Sequence, residues 1–178
     1  GDFSGWKINP DFELFRIPGT DTWGREFPQD AIKDGDNYRL EMRWEGGHGE
    51  RIPAYARYVV QDPQTKLYSA RVYEPAKKDV WKNSAPAKRP GFRPFIYEAH
   101  VGMASEEGKV ATYTEFRDNI LPRIKKAGYN VVQLMAIMEH PYYGSFGYQV
   151  SSFFAACVRY GTPNELKALI DKAHSYGI

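Results

Sequence analysis

Apolar positions along the chain follow two rhythms. Up to about residue 73 they alternate with polar ones: one face carries Tyr38, Leu40, Met42 and Trp44, a second run Tyr55, Arg57 and Val59, a third Tyr68, Ala70 and Val72. Period-two alternation puts every second side chain on the same side of an extended backbone, so these runs predict strands. Turn signals separate them, at Asn9-Pro10, Pro18-Gly19, Asp34-Gly35-Asp36, Gly46-Gly47 and Asp62-Pro63. Short strands with regular turns predict a small β-sandwich, with Trp44 on its inward face.

Residues 74–94 are rich in proline and lysine, which suits an extended connector with no face to bury. Beyond it the rhythm changes. Residues 95–101 read as a short apolar strand, and Phe116, Ile120 and Ile124 recur at helical spacing within 112–127, which Gly128 closes. Pro122 falls inside this helix and predicts a kink or a split, at roughly 3 kcal/mol if unrelieved. Residues 131–137, apolar except for Gln133, predict a strand covered on both sides. A long loop over 139–163 follows. Thr162, Pro163 and Glu165 then form a capping box at the head of a helix whose buried stripe is Leu166, Leu169, Ile170 and Ala173. Gly177 ends that helix, and Ile178 is expected to open another strand. Strand, helix, strand, helix is the order of parallel β/α units, which close into an eight-fold barrel over about 250 residues. The chain is therefore expected to be a piece cut at both ends, an expectation shared by its opening GDFSGW, which lacks an initiator Met.

The 139–163 loop contains Tyr142, Tyr143, Phe146, Tyr148, Phe153, Phe154 and Tyr160. A loop this long is more often functional or disordered than idle, and its aromatic content argues for order. Aromatic residues make up 15% of the chain, and flat rings serve both to stack on sugars and to fill cores. A formal charge of +2, from 24 basic and 22 acidic residues without a long like-charge run, gives no footprint for nucleic acid and no polybasic membrane patch. Cys157 stands alone, so no intramolecular disulfide is expected, and it has no neighbouring His and Asx to make it a nucleophile; a packed or half-exposed thiol in a reducing, cytoplasmic setting is the reading. No signal peptide or membrane-spanning run is visible.

Four segments carry a resemblance: GDFSGW at the start; RIPAYARYVVQD over 51–62; residues 96–137, beginning IYEAHVGMASEEGKV and ending AGYNVVQLMAI; and MEHPYYGSFGYQVSSFFA followed by RYGTPNELKALIDKAHSYGI. Through them the chain resembles the 1,4-α-glucan (glycogen or starch) branching enzymes of the α-amylase superfamily. The resemblance implies a multidomain chain: residues 1–75 as an incomplete, immunoglobulin-like carbohydrate-binding β-sandwich of the family-48 type, 76–94 as a linker, and 95–178 as the first two β/α units of a TIM (β/α)8 barrel.

The resemblance also implies roles. Tyr148 in FGYQ matches the aromatic that lines the sugar subsite on the nonreducing side of the scissile bond, with Gln149, Tyr142 and Tyr143 as outer contacts. In the first domain Trp6 and Lys7 match a glucan-contact position, and Trp23 is a further candidate. Each ring has the alternative of simple packing. The implied chemistry is retaining double displacement, in which nucleophile and acid carboxyls stand about 5 Å apart. The glucan then passes to a 6-hydroxyl instead of water. The implied nucleophile Asp, acid Glu and stabilising Asp belong to later barrel strands, beyond Ile178, so this chain is expected to carry no catalytic residue and to be inactive alone. The expected partner is α-1,4-glucan, with no cofactor and no metal. The expected setting is cytoplasm, or a plastid in a plant. Alternatives are a debranching or trehalose-forming hydrolase of the same superfamily and a non-catalytic glucan-binding protein.

Local carboxylates are not promoted to fill those roles. Glu98 is expected to pair structurally, inside the barrel or with His100. Glu139 and His140 lack a third ligand or an H-E-x-x-H pattern, so they read as residues shaping the sugar pocket from behind. Asp171 and His174 read as surface or helix-end residues, and Trp81 as structural.

Overall fold

The computed structural model of the chain describes residues 1–74, 80–87 and 90–178. The chain divides into two compact units, Gly1–Ala76 and Lys77–Ile178. The linker expected over 76–94 falls partly outside the described residues.

The described residues of the first unit are all strand, turn and short 3₁₀ segment. Strands β1 (Phe15–Arg16) and β2 (Trp23–Gly24) pair antiparallel. Strand β3 (Asn37–Tyr38) is followed by a hairpin of β4 (Leu40–Trp44) and β5 (Gly47–Arg51). Strands β6 (Val59–Gln61) and β7 (Tyr68–Arg71) join β3 in an antiparallel sheet of order β3-β7-β6. Val59 and Ala70 face one another across this sheet, both at 0% exposure. Phe3, Phe12 and Phe27 add a second cluster, with ring centres 4.9 and 5.4 Å apart.

Along β4 the alternation does not translate into burial. Met42 and Trp44 are 47% and 50% exposed, and Trp44 lies under the Arg51 guanidinium instead of facing inward. A two-stranded hairpin has two faces, and alternation sorts side chains onto them without by itself covering either. Tyr55 lies in a turn ahead of β6, 77% exposed.

In the second unit β8 (Ile96–Ala99) and β9 (Val131–Leu134) pair parallel, Ile96 opposite Val131. The connection runs through α1 (Tyr113–Glu115), a π-helical stretch Phe116–Ile120 and α2 (Leu121–Lys126). Thr112 opens it with a reciprocal capping box to Glu115. Pro122 neither breaks nor removes the helix: a π turn, closed by Leu121 N–H on the Phe116 carbonyl, widens it where the pyrrolidine would otherwise meet a carbonyl of the preceding turn. Phe116 and Ile124 are buried as their spacing predicts. Helix α3 (Pro163–Ser175) starts at the Thr162–Glu165 box and buries Leu169, with Leu166 and Ala173 beside it.

One expectation changes at the end of a strand. β9 stops at Leu134, because Ala136 takes a left-handed φ of 40° and turns the chain. Helix α3 ends in a Schellman closure, Ile178 N–H bonding the Ala173 carbonyl at 3.0 Å while Gly177 N–H bonds that of His174 at 2.9 Å. The core gathers Tyr113, Phe116, Leu121, Ile124, Cys157, Tyr160 and Leu169 around Val101.

Candidate functional site

The aromatic segment after β9 is not a simple loop. Met138–Glu139 forms β10 and Ser152–Ala156 forms β11, paired antiparallel, with a 3₁₀ turn at Tyr143–Ser145 between them. The sequence SFFAA is β-prone, yet its aromatic content reads as loop surface when the eye is on ligands.

Glu139 anchors the hairpin. Its carboxylate is 1% exposed and accepts from Val158 N–H at 2.9 Å and His140 N–H at 3.1 Å, while the Cys157 thiol lies 3.8 Å from it. Burial raises the Glu139 pKa, and the two backbone N–H groups offset part of that. Burial together with Glu139 pushes the Cys157 thiol up to about 11, so it stays protonated and packed, as expected. His140 is fully buried; its Nδ1 lies 2.9 Å from the Met138 carbonyl, so that nitrogen carries the proton. Its Nε2 is left as a buried acceptor without a partner among the described residues. Both residues lie behind the aromatic surface, not on it.

A second buried group was foreseen in the sequence only as an alternative partner for Glu98. His100, just past β8, accepts from Met103 N–H at Nδ1 and has its Nε2 3.3 Å from the Tyr160 hydroxyl. Tyr113 donates to the Cys157 carbonyl at 3.1 Å and meets Tyr160 edge-on. A polar residue ending an apolar strand was the only sequence signal for His100. Arg159, unremarked in the sequence, reaches the carbonyls of His140 and Pro141 at 3.4 Å each and holds the 140–141 backbone.

These groups support an outward turn. Phe146 and Gly147 are consecutive left-handed residues, φ 52° and 88°, and Gly147 is buried against Ala136. The reversal delivers Tyr148 at 67% exposure, with Gln149 exposed beside it and Tyr142 at 62%. Tyr143 differs: it is half-buried, its hydroxyl donating to Met103 Sδ at 3.4 Å and its ring set against His100. Phe153 and Phe154, 68% and 57% exposed, extend the apolar surface on β11.

In the first unit Trp6 lines a cavity of about 330 Å³ with Asp2, Asn37, Arg39, Gln61 and Arg71. Its Nε1 donates to Asp2 Oδ1 at 2.8 Å, and the Arg39 guanidinium lies 4.8 Å over the indole. Arg39 also pairs with Glu50, while its buried Nε has no partner among the described residues. Lys7 is exposed and Trp23, 62% exposed on β2, stands outside that cavity.

The other acidic and histidine residues resolve simply. Glu98 accepts from Gln133 Nε2 at 3.0 Å across β8 and β9, not from His100. Asp171 is no idle surface group: it accepts from the N–H groups of Lys82 and Asn83 at 2.8 and 2.9 Å, and His174 packs on Trp81. Among the described residues no cluster of three His, Cys, Asp or Glu could hold a metal, and no helix is long and apolar enough to cross a membrane.

The second unit thus has a parallel strand pair joined through helix, with an aromatic excursion after its second strand, and an all-β unit precedes it in the chain. A Salmonella typhimurium protein described as an alpha amylase superposes on 93% of this chain and 28% of its own, with TM-score 0.67 and 22% identity. In sequence the chain is similar over its whole length to 1,4-alpha-glucan-branching enzymes. The Aspergillus oryzae enzyme is 56% identical over 186 residues, and that of Yarrowia lipolytica 46% over 189, each match covering 100% of this chain and 26% of the relative. The Arabidopsis thaliana 1,4-alpha-glucan-branching enzyme 2-2, chloroplastic/amyloplastic, is 43% identical over 189 residues, 22% of its length. The chain thus spans about a quarter of the curated relatives it matches. No protein-family profile matches it.

Proposed function

We propose that this chain works as part of a 1,4-α-glucan branching enzyme, which cleaves an α-1,4 chain with retention and transfers it to a 6-hydroxyl. In this reading the second unit supplies the first two β/α units of a TIM barrel, over 95–178. The first, over 1–75, is a carbohydrate-binding sandwich, and 76–94 links them. The nucleophile, acid and stabilising carboxylates come from other barrel strands, so the 178-residue chain alone leaves amylose uncut. The partner is α-1,4-glucan, and the setting is the cytoplasm, or the plastid in a plant.

The presentation of Tyr148 carries this reading. A ring held out by two left-handed residues is left mostly uncovered by this chain, and a sugar face suits it. Tyr142 and Gln149 flank it as outer contacts. Tyr143, Glu139 and His140 brace the turn from behind, and the His140 Nε2 acceptor is available to a donor from a neighbouring strand. Trp6, with Lys7 and Trp23 nearby in sequence terms only, forms a remote hold on the glucan.

The test is Tyr148→Ala in the full-length enzyme. Loss of a stacking ring at the reacting sugar is expected to cost turnover about 1 to 3 kcal/mol, roughly 5- to 150-fold. Unchanged transfer to branch points, read by debranching and chain-length profiling, refutes the assignment.

A further inference from the structure

One side chain joins the end of β8 to the reversal that presents Tyr148. His100 is buried, and both of its ring nitrogens are engaged. Nδ1 accepts from Met103 N–H at 3.2 Å and caps the 3₁₀ turn Val101–Met103. The neutral ring therefore carries its proton on Nε2, which lies 3.3 Å from the Tyr160 hydroxyl. Its faces and edges meet three aromatics, with ring centres 5.7 Å from Phe146, 5.7 Å from Tyr160 and 6.1 Å from Tyr143. Phe146 is the first of the two left-handed residues ahead of Tyr148, and Tyr143 opens the 3₁₀ turn Tyr143–Ser145 that leads into them. The capped turn is gripped as well: Tyr143 donates to Met103 Sδ at 3.4 Å, and a Cβ on Gly102 would stand 2.7 Å from the Tyr160 ring and 3.0 Å from Tyr143 Oη. Residues 100–103 and 143–146 thus pack on one another through His100, Gly102 and Tyr143.

We propose that His100 is a positioning residue for the glucan platform: it fixes the Phe146–Gly147 reversal and so the direction in which Tyr148 meets the reacting sugar. The inference rests on the reading of Tyr148 as that platform. Tyr148 is mostly exposed, so its direction comes from the backbone turn that delivers it, and the first left-handed residue of that turn leans on His100. A left-handed φ at phenylalanine persists only where its surroundings over-determine it. Among side chains only a neutral imidazole pairs a flat ring with an acceptor at one nitrogen and a donor at the other, and here the three features meet Phe146, Met103 and Tyr160. Being buried, His100 acts through Tyr148 and not on the glucan itself.

A double-mutant cycle in the full-length enzyme, read by branching kinetics on amylose, tests this with His100→Gln, Tyr148→Ala and the pair. His100→Gln keeps a donor that reaches towards Tyr160 and loses the ring against Phe146. It is expected to lower kcat about tenfold and to leave KM within about twofold, because a displaced platform misaligns the reacting sugar while the rest of the polymer is held elsewhere. In the Tyr148→Ala background the same substitution is expected to change kcat by less than about twofold, since the ring through which it acts is gone. His100→Asn, whose Oδ1 can still cap the Met103 N–H, is a second variant that spares the 101–103 turn, with the same loss and the same cancellation expected. A kcat matching that of the parent, or an equal loss in both backgrounds, overturns the proposal and makes His100 a packing residue. If Tyr148→Ala alone leaves kcat unchanged, the reading of Tyr148 falls first and the proposal with it.

Discussion

Gly147 meets the carbonyl of Ala136 so closely that a Cβ placed on it would stand 2.2 Å from that oxygen. Both residues have positive φ, 88° and 40°, so the end of β9 and the turn before Tyr148 are two reversals in direct backbone contact. Only glycine allows this approach. The aromatic surface therefore depends on a residue without a side chain.

Gly147→Ala is expected to destabilise the chain beyond the ordinary cost of a strained φ, which is about 1 to 3 kcal/mol, because the new methyl also meets backbone that cannot yield as a side chain would. For a chain of this size that is a fall of at least about 2 to 4 °C in melting temperature. Thermal unfolding followed by circular dichroism checks it, and a midpoint matching the parent would show that the two reversals can separate freely.

Tyr143 and Tyr148 are five residues apart and are expected to separate cleanly in mutagenesis. Tyr143→Ala removes a ring packed on His100 and Phe146 and should cost about 2 to 4 kcal/mol of stability. Tyr148→Ala removes an exposed ring and should stay within about 0.5 kcal/mol. Urea unfolding of the two variants decides the matter: equal losses would mean that Tyr148 packs after all.

His100 predicts an acid-sensitive step. Burial holds its pKa below the ordinary 6.5, and the nearby His140 lowers it further. In the window below 6.5 the unfolded chain binds a proton that the folded chain refuses, so stability falls as pH drops through that window. Glu139 acts with the opposite sign: its raised pKa means that the folded chain holds a proton longer, and its contribution declines as pH rises above 4.5. The difference between parent and His100→Gln isolates the first effect. Urea midpoints measured from pH 7.5 to 5 should drop more steeply in the parent, and parallel profiles would remove His100 from the account.

What could be read in advance follows from how local each signal is. Helix α3 was legible down to its first turn, because a capping box and a buried stripe involve residues three or four apart. The parallel pairing of β8 with β9 followed from the strand–helix–strand order. The exposure of Met42 and Trp44 was not legible, since alternation states which side chains share a face and is silent on what covers it. Nor was the π turn before Pro122, where sequence showed the conflict but not its resolution. At the candidate site, the aromatic content of the segment was legible while the contacts that support it, made by His100, Tyr160 and Arg159, were not. Their partners are brought together from distant positions, and no short-range pattern encodes such contacts.

Trp6 poses the sharpest remaining separation of structure from binding. It has φ 60°, a conformation that costs a bulky residue dearly, and it spends Nε1 on Asp2 and one side of its indole on Arg39. A ring so engaged offers a sugar its remaining exposed surface, 43% of the residue. Trp6→Phe keeps the flat face and loses the hydrogen bond, so it should cost about 1 kcal/mol of stability with glucan retention intact. Trp6→Ala loses the platform and should abolish retardation of the chain in amylose-containing native gels. If instead both variants migrate as the parent does, Trp6 is a strut for Arg39 and Asp2 and not a glucan platform.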